Sequence, residues 1–114
     1  MINFDGRTMF VSSTATTGVV GEDTRLYFKQ RGQRVVARYA GGRVKRGWLV
    51  GTCIGHTLRF RYAQGETDRR IHAGHSVCDV VQLPDGRLRV LEHFTWTTRD
   101  ASGTNVFDEL PTPK

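Results

Sequence analysis

The sequence predicts an all-β domain, an antiparallel up-and-down meander closing into a small barrel of about eight strands. Short runs of alternating apolar and polar residues recur along the chain, and glycine-rich turn signals separate them. No stretch between those turns sustains the 3.6-residue period of an amphipathic helix. Without crossover helices, parallel pairing is excluded. An open meander leaves edges that invite aggregation, so closure is the expected solution. A sandwich pairing through its edges into a homodimer is the alternative.

The first strand is expected over Thr8–Thr14, followed by a polar stretch through Gly18 and Gly21. Thr24–Gln30 and Arg34–Tyr39 flank an Arg31-Gly32-Gln33 turn. Gly41-Gly42 reads as a two-residue hairpin turn, because both central positions of a type I′ turn need positive φ. Val44–Ile54 turns at Gly55-His56 into Thr57–Ala63, which is expected to end at Gln64-Gly65. Thr67–Leu83 reads as one bent strand with Gly74 as a bulge or corner. Pro84-Asp85-Gly86 is the strongest turn, since proline presets φ and glycine accepts a positive one. Leu88–Arg99, a turn through Ala101-Ser102-Gly103, and Asn105–Leu110 complete the set, and the Pro111–Lys114 tail is expected to fray.

A chain of 114 residues has room for one domain, 1–114, and one core. With 38% hydrophobic and 25% charged residues, its composition is that of a globular protein, not a disordered one. The net charge of +6 and the pI near 10.0 raise the question of a polyanionic partner. Only Lys29, Lys45 and Lys114 are lysine, and an arginine excess is also what a GC-rich genome writes without any ligand. The opening Met1–Arg7 lacks the charged and apolar regions of a signal peptide, and no run is long enough to span a membrane, so a cytoplasmic location is expected. Cys53 and Cys78 sit among apolar residues and outside any C-x-x-C pair, which reads as free buried thiols.

Alternation assigns the faces. Leu88, Val90, Phe94 and Trp96 share one phase, as do Leu58, Phe60 and Tyr62, then Leu26 and Phe28, then Val35, Ala37 and Tyr39. Val44–Ile54 is apolar in both phases around Trp48, so it is expected to be covered on both sides or to pack against a partner subunit. Glu92 falls in the inward phase between Val90 and Phe94, where an ionised carboxylate is costly unless paired. It is either a core ion pair to an inward arginine such as Arg38, or a broken alternation, or a carboxyl of raised pKa in an aromatic pocket. That pocket would be lined by Phe28, Tyr39, Trp48, Phe60, Tyr62, Phe94 and Trp96.

His75 is the preferred inward histidine, because Ile71, Ala73, Val77 and Val81 share its phase, and Asp79 then adds a second inward carboxylate. The opposite phase, with His72, Ser76 and Cys78 inside, is nearly as good. His72, His75 and His93 make no metal site, because residues three apart on a strand face opposite ways and His93 is out of phase with Glu92. No metal or cofactor is expected. The run Ser12–Thr14 and the Thr16-Thr17 pair match no nucleophile motif.

Ile2–Arg7, Gly41-Gly42 running into Gly47-x-Leu49-x-Gly51-Thr52, Leu58–Tyr62, and Asp85-Gly86-Arg87 followed by Glu92-x-Phe94-x-Trp96 resemble a family of small bacterial proteins of this size. Some carry the inherited name N-acetylglutamate synthase. The resemblance implies a calycin- or avidin-like barrel and brings no established activity. An acetyl-CoA-dependent acetyltransferase needs a phosphate-binding loop opening a helix, and neither is written here.

The reading that follows is a barrel binding a small apolar or aromatic molecule, with Glu92 as polar anchor. A barrel enzyme using Glu92 as general acid or base, of isomerase or natural-product cyclase type, is the close alternative. A basic module for RNA or a protein partner is the third. Arg59, Arg61, Arg69, Arg70, Arg87 and Arg89 could form one basic face, but the aromatics take the opposite phase, which argues against nucleic acid. Far-ultraviolet circular dichroism is expected to show dominant β structure with under about 10% helix; a helix of three turns between Thr24 and Leu110 would refute the barrel.

Overall fold

A computed structural model describes residues 2–15 and 17–111. Eight strands follow one another: β1 Thr8–Ser13, β2 Arg25–Arg31, β3 Arg34–Gly41, β4 Val44–Ile54, β5 Thr57–Glu66, β6 Ile71–Gln82, β7 Leu88–Trp96 and β8 Ser102–Glu109. Each pairs antiparallel with the next, and β1 pairs with β8, so the sheet is a closed barrel in sequence order. Among the described residues no helix is long and apolar enough to cross a membrane. Thr16 and residues 112–114, which carry part of the Thr16-Thr17 pair and of the expected frayed tail, lie outside the described residues.

The turns show where local signals mislead. Gly86 adopts the positive φ expected of it, and Gly32 and Gly55 in the other expected turns do so too. At the next hairpin Gly41 ends β3 opposite Val44, and the turn itself is Gly42-Arg43. Gly41 is required for a different reason: at φ 125 it lies against Asp23, whose carbonyl oxygen is 2.0 Å from where a Cβ would be. β5 does not stop at Gln64-Gly65 but runs on to Glu66, with Gln64 and Glu66 buried. Residues 67–70 are therefore a turn rather than the start of a strand. Gly74 is no bulge, for the β5–β6 and β6–β7 registers run through it without a shift. Its Cα sits where the Tyr62 hydroxyl would be 2.4 Å from a Cβ, so the glycine makes room for that ring. The last hairpin turns earlier than expected, at 97–101, and Ser102 and Gly103 already belong to β8.

The interior phase fills with Met9, Leu26, Val35, Leu49, Leu58, Val90 and their neighbours, in the period-2 pattern of the sequence. One end of the barrel is stopped by the segment before β1. Phe4 stacks on Phe28 with ring centroids 5.0 Å apart, and its amide donates to Gln30 Oε1 at 2.7 Å. The other end is covered by the segment between β1 and β2, where Val19 is buried. Cys53 and Cys78 are buried free thiols.

β4 corrects the expectation of cover on both sides. Its inner phase is buried at Leu49 and Cys53, but Trp48, Val50 and Ile54 are 54%, 55% and 60% exposed. Gly47 and Gly51 interrupt the inner phase because neighbours already occupy their side-chain space: the Tyr39 ring at 2.4 Å and the Arg59 carbonyl oxygen at 1.8 Å. A methyl at Gly51 meets backbone, which cannot swing away. Gly51→Ala is expected to destabilise by about 3 kcal/mol or more in urea titration, at the upper end of overpacking costs. Gly65→Ala, where only Arg46 O lies near at 4.0 Å, should stay within about 1 kcal/mol.

Candidate ligand-binding site

Beneath the covered mouth lies a cavity of about 30 Å³. The side chains of Tyr39, Phe60, Tyr62, Phe94 and Trp96 line it, together with Glu92. They come from β3, β5 and β7, where strict alternation turns every second residue inward. The Tyr62 ring meets Trp96 edge-on at 5.3 Å, and Phe94 meets Trp96 at 6.0 Å, so the wall is a continuous aromatic surface.

Glu92 is 5% exposed, and among the described residues no cation pairs with it. Its Oε2 accepts a hydrogen bond from Ser76 Oγ at 2.6 Å, and its Oε1 accepts one from Asn105 Nδ2 at 2.8 Å. Burial drives the carboxyl above its ordinary range, and the two hydrogen bonds and the charge of His93 oppose that only in part. The contrast with the barrel's other buried acids is the decisive feature. Glu66 meets Arg99 at 3.2 Å and Glu109 meets Arg7 at 2.6 Å, whereas Glu92 has only neutral donors. Arg38, its expected ion-pair partner, faces outward over the Tyr27 ring at 4.7 Å. The ion-pair reading is therefore overturned: the β3 phase that puts Tyr39 inside puts Arg38 outside.

Asn105 links the carboxyl to the mouth. Its Oδ1 accepts from Thr14 Oγ1 at 2.9 Å and from the Ala15 amide at 3.4 Å. A second chain of hydrogen bonds runs up the opposite wall. Tyr39 donates to Gln64 Oε1 at 2.8 Å, Gln64 Nε2 donates to Glu66 Oε2 at 3.0 Å, and Arg99 clamps Glu66 while lying 4.7 Å over the Trp96 ring. Trp96 Nε1 in turn donates to the Thr17 carbonyl at 3.2 Å, fastening the covering segment. Tyr39 and Tyr62 both titrate well above the ordinary phenol range, from burial first and the charge of Glu92 second. The Tyr62 hydroxyl is buried and has no hydrogen-bond partner among the described residues.

Not every residue expected at the site is there. Phe28 packs against Phe4 at the stopped end, away from the cavity lining. Trp48 is on the outer surface of β4, because Leu49 takes the inner phase. β6 adopts the phase opposite to the one preferred: Gly74, Ser76, Cys78 and Val80 are buried, while His75 and Asp79 are exposed. The count of apolar residues misled there. Gly74 must face in to accommodate Tyr62, and that steric demand outweighs the exposure of Ile71, Val77 and Val81. His93 and Asp79 lie 3.8 Å apart on the outside.

Asn105, Gln64 and the Val19-Val20 pair were missed. Asn105 shares the phase of Phe107 within the strand already read, and Gln64 continues the phase of Tyr62 one residue past the expected end of its strand, so following alternation through both would have found them. No pattern in the sequence brings Val19 over the mouth.

A family model described as Avidin-like protein matches residues 2–110. The chain belongs to the avidin-like family. Comparison with curated proteins and with solved structures gave no match. Membership agrees with the closed eight-stranded meander and with an aromatic interior suited to small molecules.

The electrostatics of Glu92 set a sign. Its folded pKa lies above the ordinary value of 4.5, so its contribution is fully present below that pH and is lost as pH rises through the folded pKa. Glu92→Gln keeps the shape and removes the charge. Its melting temperature should equal or exceed that of the parent at pH 7, with the difference growing from pH 4.5 upward. Breaking a buried ion pair would instead cost about 3–5 kcal/mol, and a loss of that size would refute the geometry described.

Proposed function

We propose that this barrel binds a small, mostly apolar or aromatic molecule inside its mouth, held by Glu92 as polar anchor. The observation that carries the proposal is a buried carboxyl facing an aromatic wall with no cation paired to it among the described residues. Such a group lowers stability, and retention of a destabilising polar group in a cleft is the usual signature of a binding position. The unpaired Tyr62 hydroxyl supports the same reading, because a buried donor without a partner costs about 1–3 kcal/mol until something accepts its proton.

The volume requires movement. A cavity of about 30 Å³ has room for two or so water molecules, and sites for small organic ligands run to several hundred Å³. Val19 and Val20 border that space from the covering segment, so a ligand enters by displacing them. Among the described residues the Trp96–Thr17, Thr17–Ser102, Thr14–Asn105 and Ala15–Asn105 hydrogen bonds hold the cover through side chains, and such bonds exchange readily for water.

Small aromatic probes carrying one donor, such as aniline, indole and benzamide, test the site directly. Titrated into labelled protein and followed by nuclear magnetic resonance, at least one should shift the amides of Val19, Glu92, Phe94 and Asn105. Its affinity should drop about tenfold in Glu92→Gln, the upper value of one ordinary hydrogen bond. Binding that is unchanged in that variant would remove Glu92 as anchor; shifts confined to the outer surface would remove the interior site.

A further inference from the structure

The outside of β2–β5 carries a second chemistry, unrelated to the cavity. Of the 17 basic residues, nine lie on these four strands, against a single acid, Glu66, which is buried inward. None of the nine enters an ion pair among the described residues, whereas Arg7, Arg70, Arg87, Arg89 and Arg99 all do. The clustering is therefore more than an arginine-rich composition: the acids are placed elsewhere.

Two aromatic rings stand in this field. Tyr27 is 41% exposed and Trp48 is 54% exposed. Register puts them on one line across the sheet, Tyr27 opposite Arg38 and Arg38 opposite Trp48, with small Ala63 beyond. The next line reads Lys29, Val36, Val50, Arg61. Between the lines runs a surface groove of about 390 Å³ lined by Tyr27, Lys29, Val36, Arg38, Trp48 and Val50. Arg46 reaches over the Trp48 ring at 5.9 Å. The objection that aromatics and arginines occupy opposite faces falls once Trp48 joins Tyr27 outside.

We propose that this face binds single-stranded nucleic acid, with Trp48 and Tyr27 stacking on unpaired bases and the surrounding arginines and Lys29 holding the phosphates. Charge selects the occupant. A second copy of the chain would set this cationic patch against itself in a two-fold contact, which is repulsive. An acidic protein would satisfy the charge but leaves flat, exposed rings at arginine spacing without a purpose. A duplex hides its base faces and offers nothing to stack. Single strands supply both phosphate and π-face, and stacking tolerates any sequence because every base has such a face.

The test is fluorescence anisotropy of a labelled oligouridylate of about 12 nucleotides. Binding is expected at low salt, around 50 mM, and should weaken steeply as salt rises through counterion release. Trp48→Ala should weaken it about tenfold, and Trp48→Phe should recover most of that loss. Arg61→Ala should lower the slope of log affinity against log salt by about 0.7, one phosphate contact on a single strand. These positions are on the surface, so circular dichroism and melting should match the parent. No binding at low salt overturns the proposal. So does equal affinity in Trp48→Ala, or competition by duplex or poly-glutamate as strong as by the oligouridylate, which would mark a charge patch for an acidic protein.

Discussion

The seam between β1 and β8 is the constraint on which the rest of the barrel depends. A meander has two edges, and here each is the other's partner, from Met9 opposite Glu109 to Ser13 opposite Val106. Closure leaves no row of unpaired amides and carbonyls, and it divides one sheet into an inside of limited width and an outside in water. The seam is pinned at both ends. Arg7 meets Glu109 and the Leu110 amide donates to the Thr8 carbonyl at one end; Thr14 meets Asn105 at the other. The shift in register between Val11 and Ser13 falls where β1 leaves the sheet to cross the mouth.

Limited width explains the glycines and the aromatics together. Eight strands enclose just enough room for side chains, so each large ring must be matched by a missing one. Tyr39 sits over Gly47, Phe60 against Gly51 and Tyr62 against Gly74. The wall around Glu92 is thus built by pairs of residues on adjacent strands, and each pair fixes where its ring can lie.

The buried acids divide the interior by purpose. Glu66 and Glu109 sit near the two ends, where Arg99 and Arg7 can reach them from the rim. Glu92 lies deeper, where no arginine can follow without burying its own charge, and it is left with a hydroxyl and an amide. Burial there favours the neutral acid over the anion, and the two donors offset that only in part. The arrangement also ties the carboxyl to the covering segment through one residue, Asn105.

Period-2 alternation with glycine punctuation determined, by sequence alone, that the chain is an antiparallel meander, that β4 runs from Val44 to Ile54, and that Glu92 shares a face with Phe94 and Trp96. Those are local properties: a strand's two faces are decided by neighbours in sequence. What lay beyond them is decided between strands. Whether His75 or Ser76 faces in depends on Tyr62 needing the space at Gly74, one strand away. Whether Glu92 has a cation depends on which way Arg38 points from β3. Trp48 is outside because Leu49 fits the interior beside Tyr62, its partner on β5. Hydrophobicity ranked Trp48, Ile71 and Val77 as core, but a closed barrel has a fixed interior volume, and residues in the wrong phase stay on the surface however apolar they are.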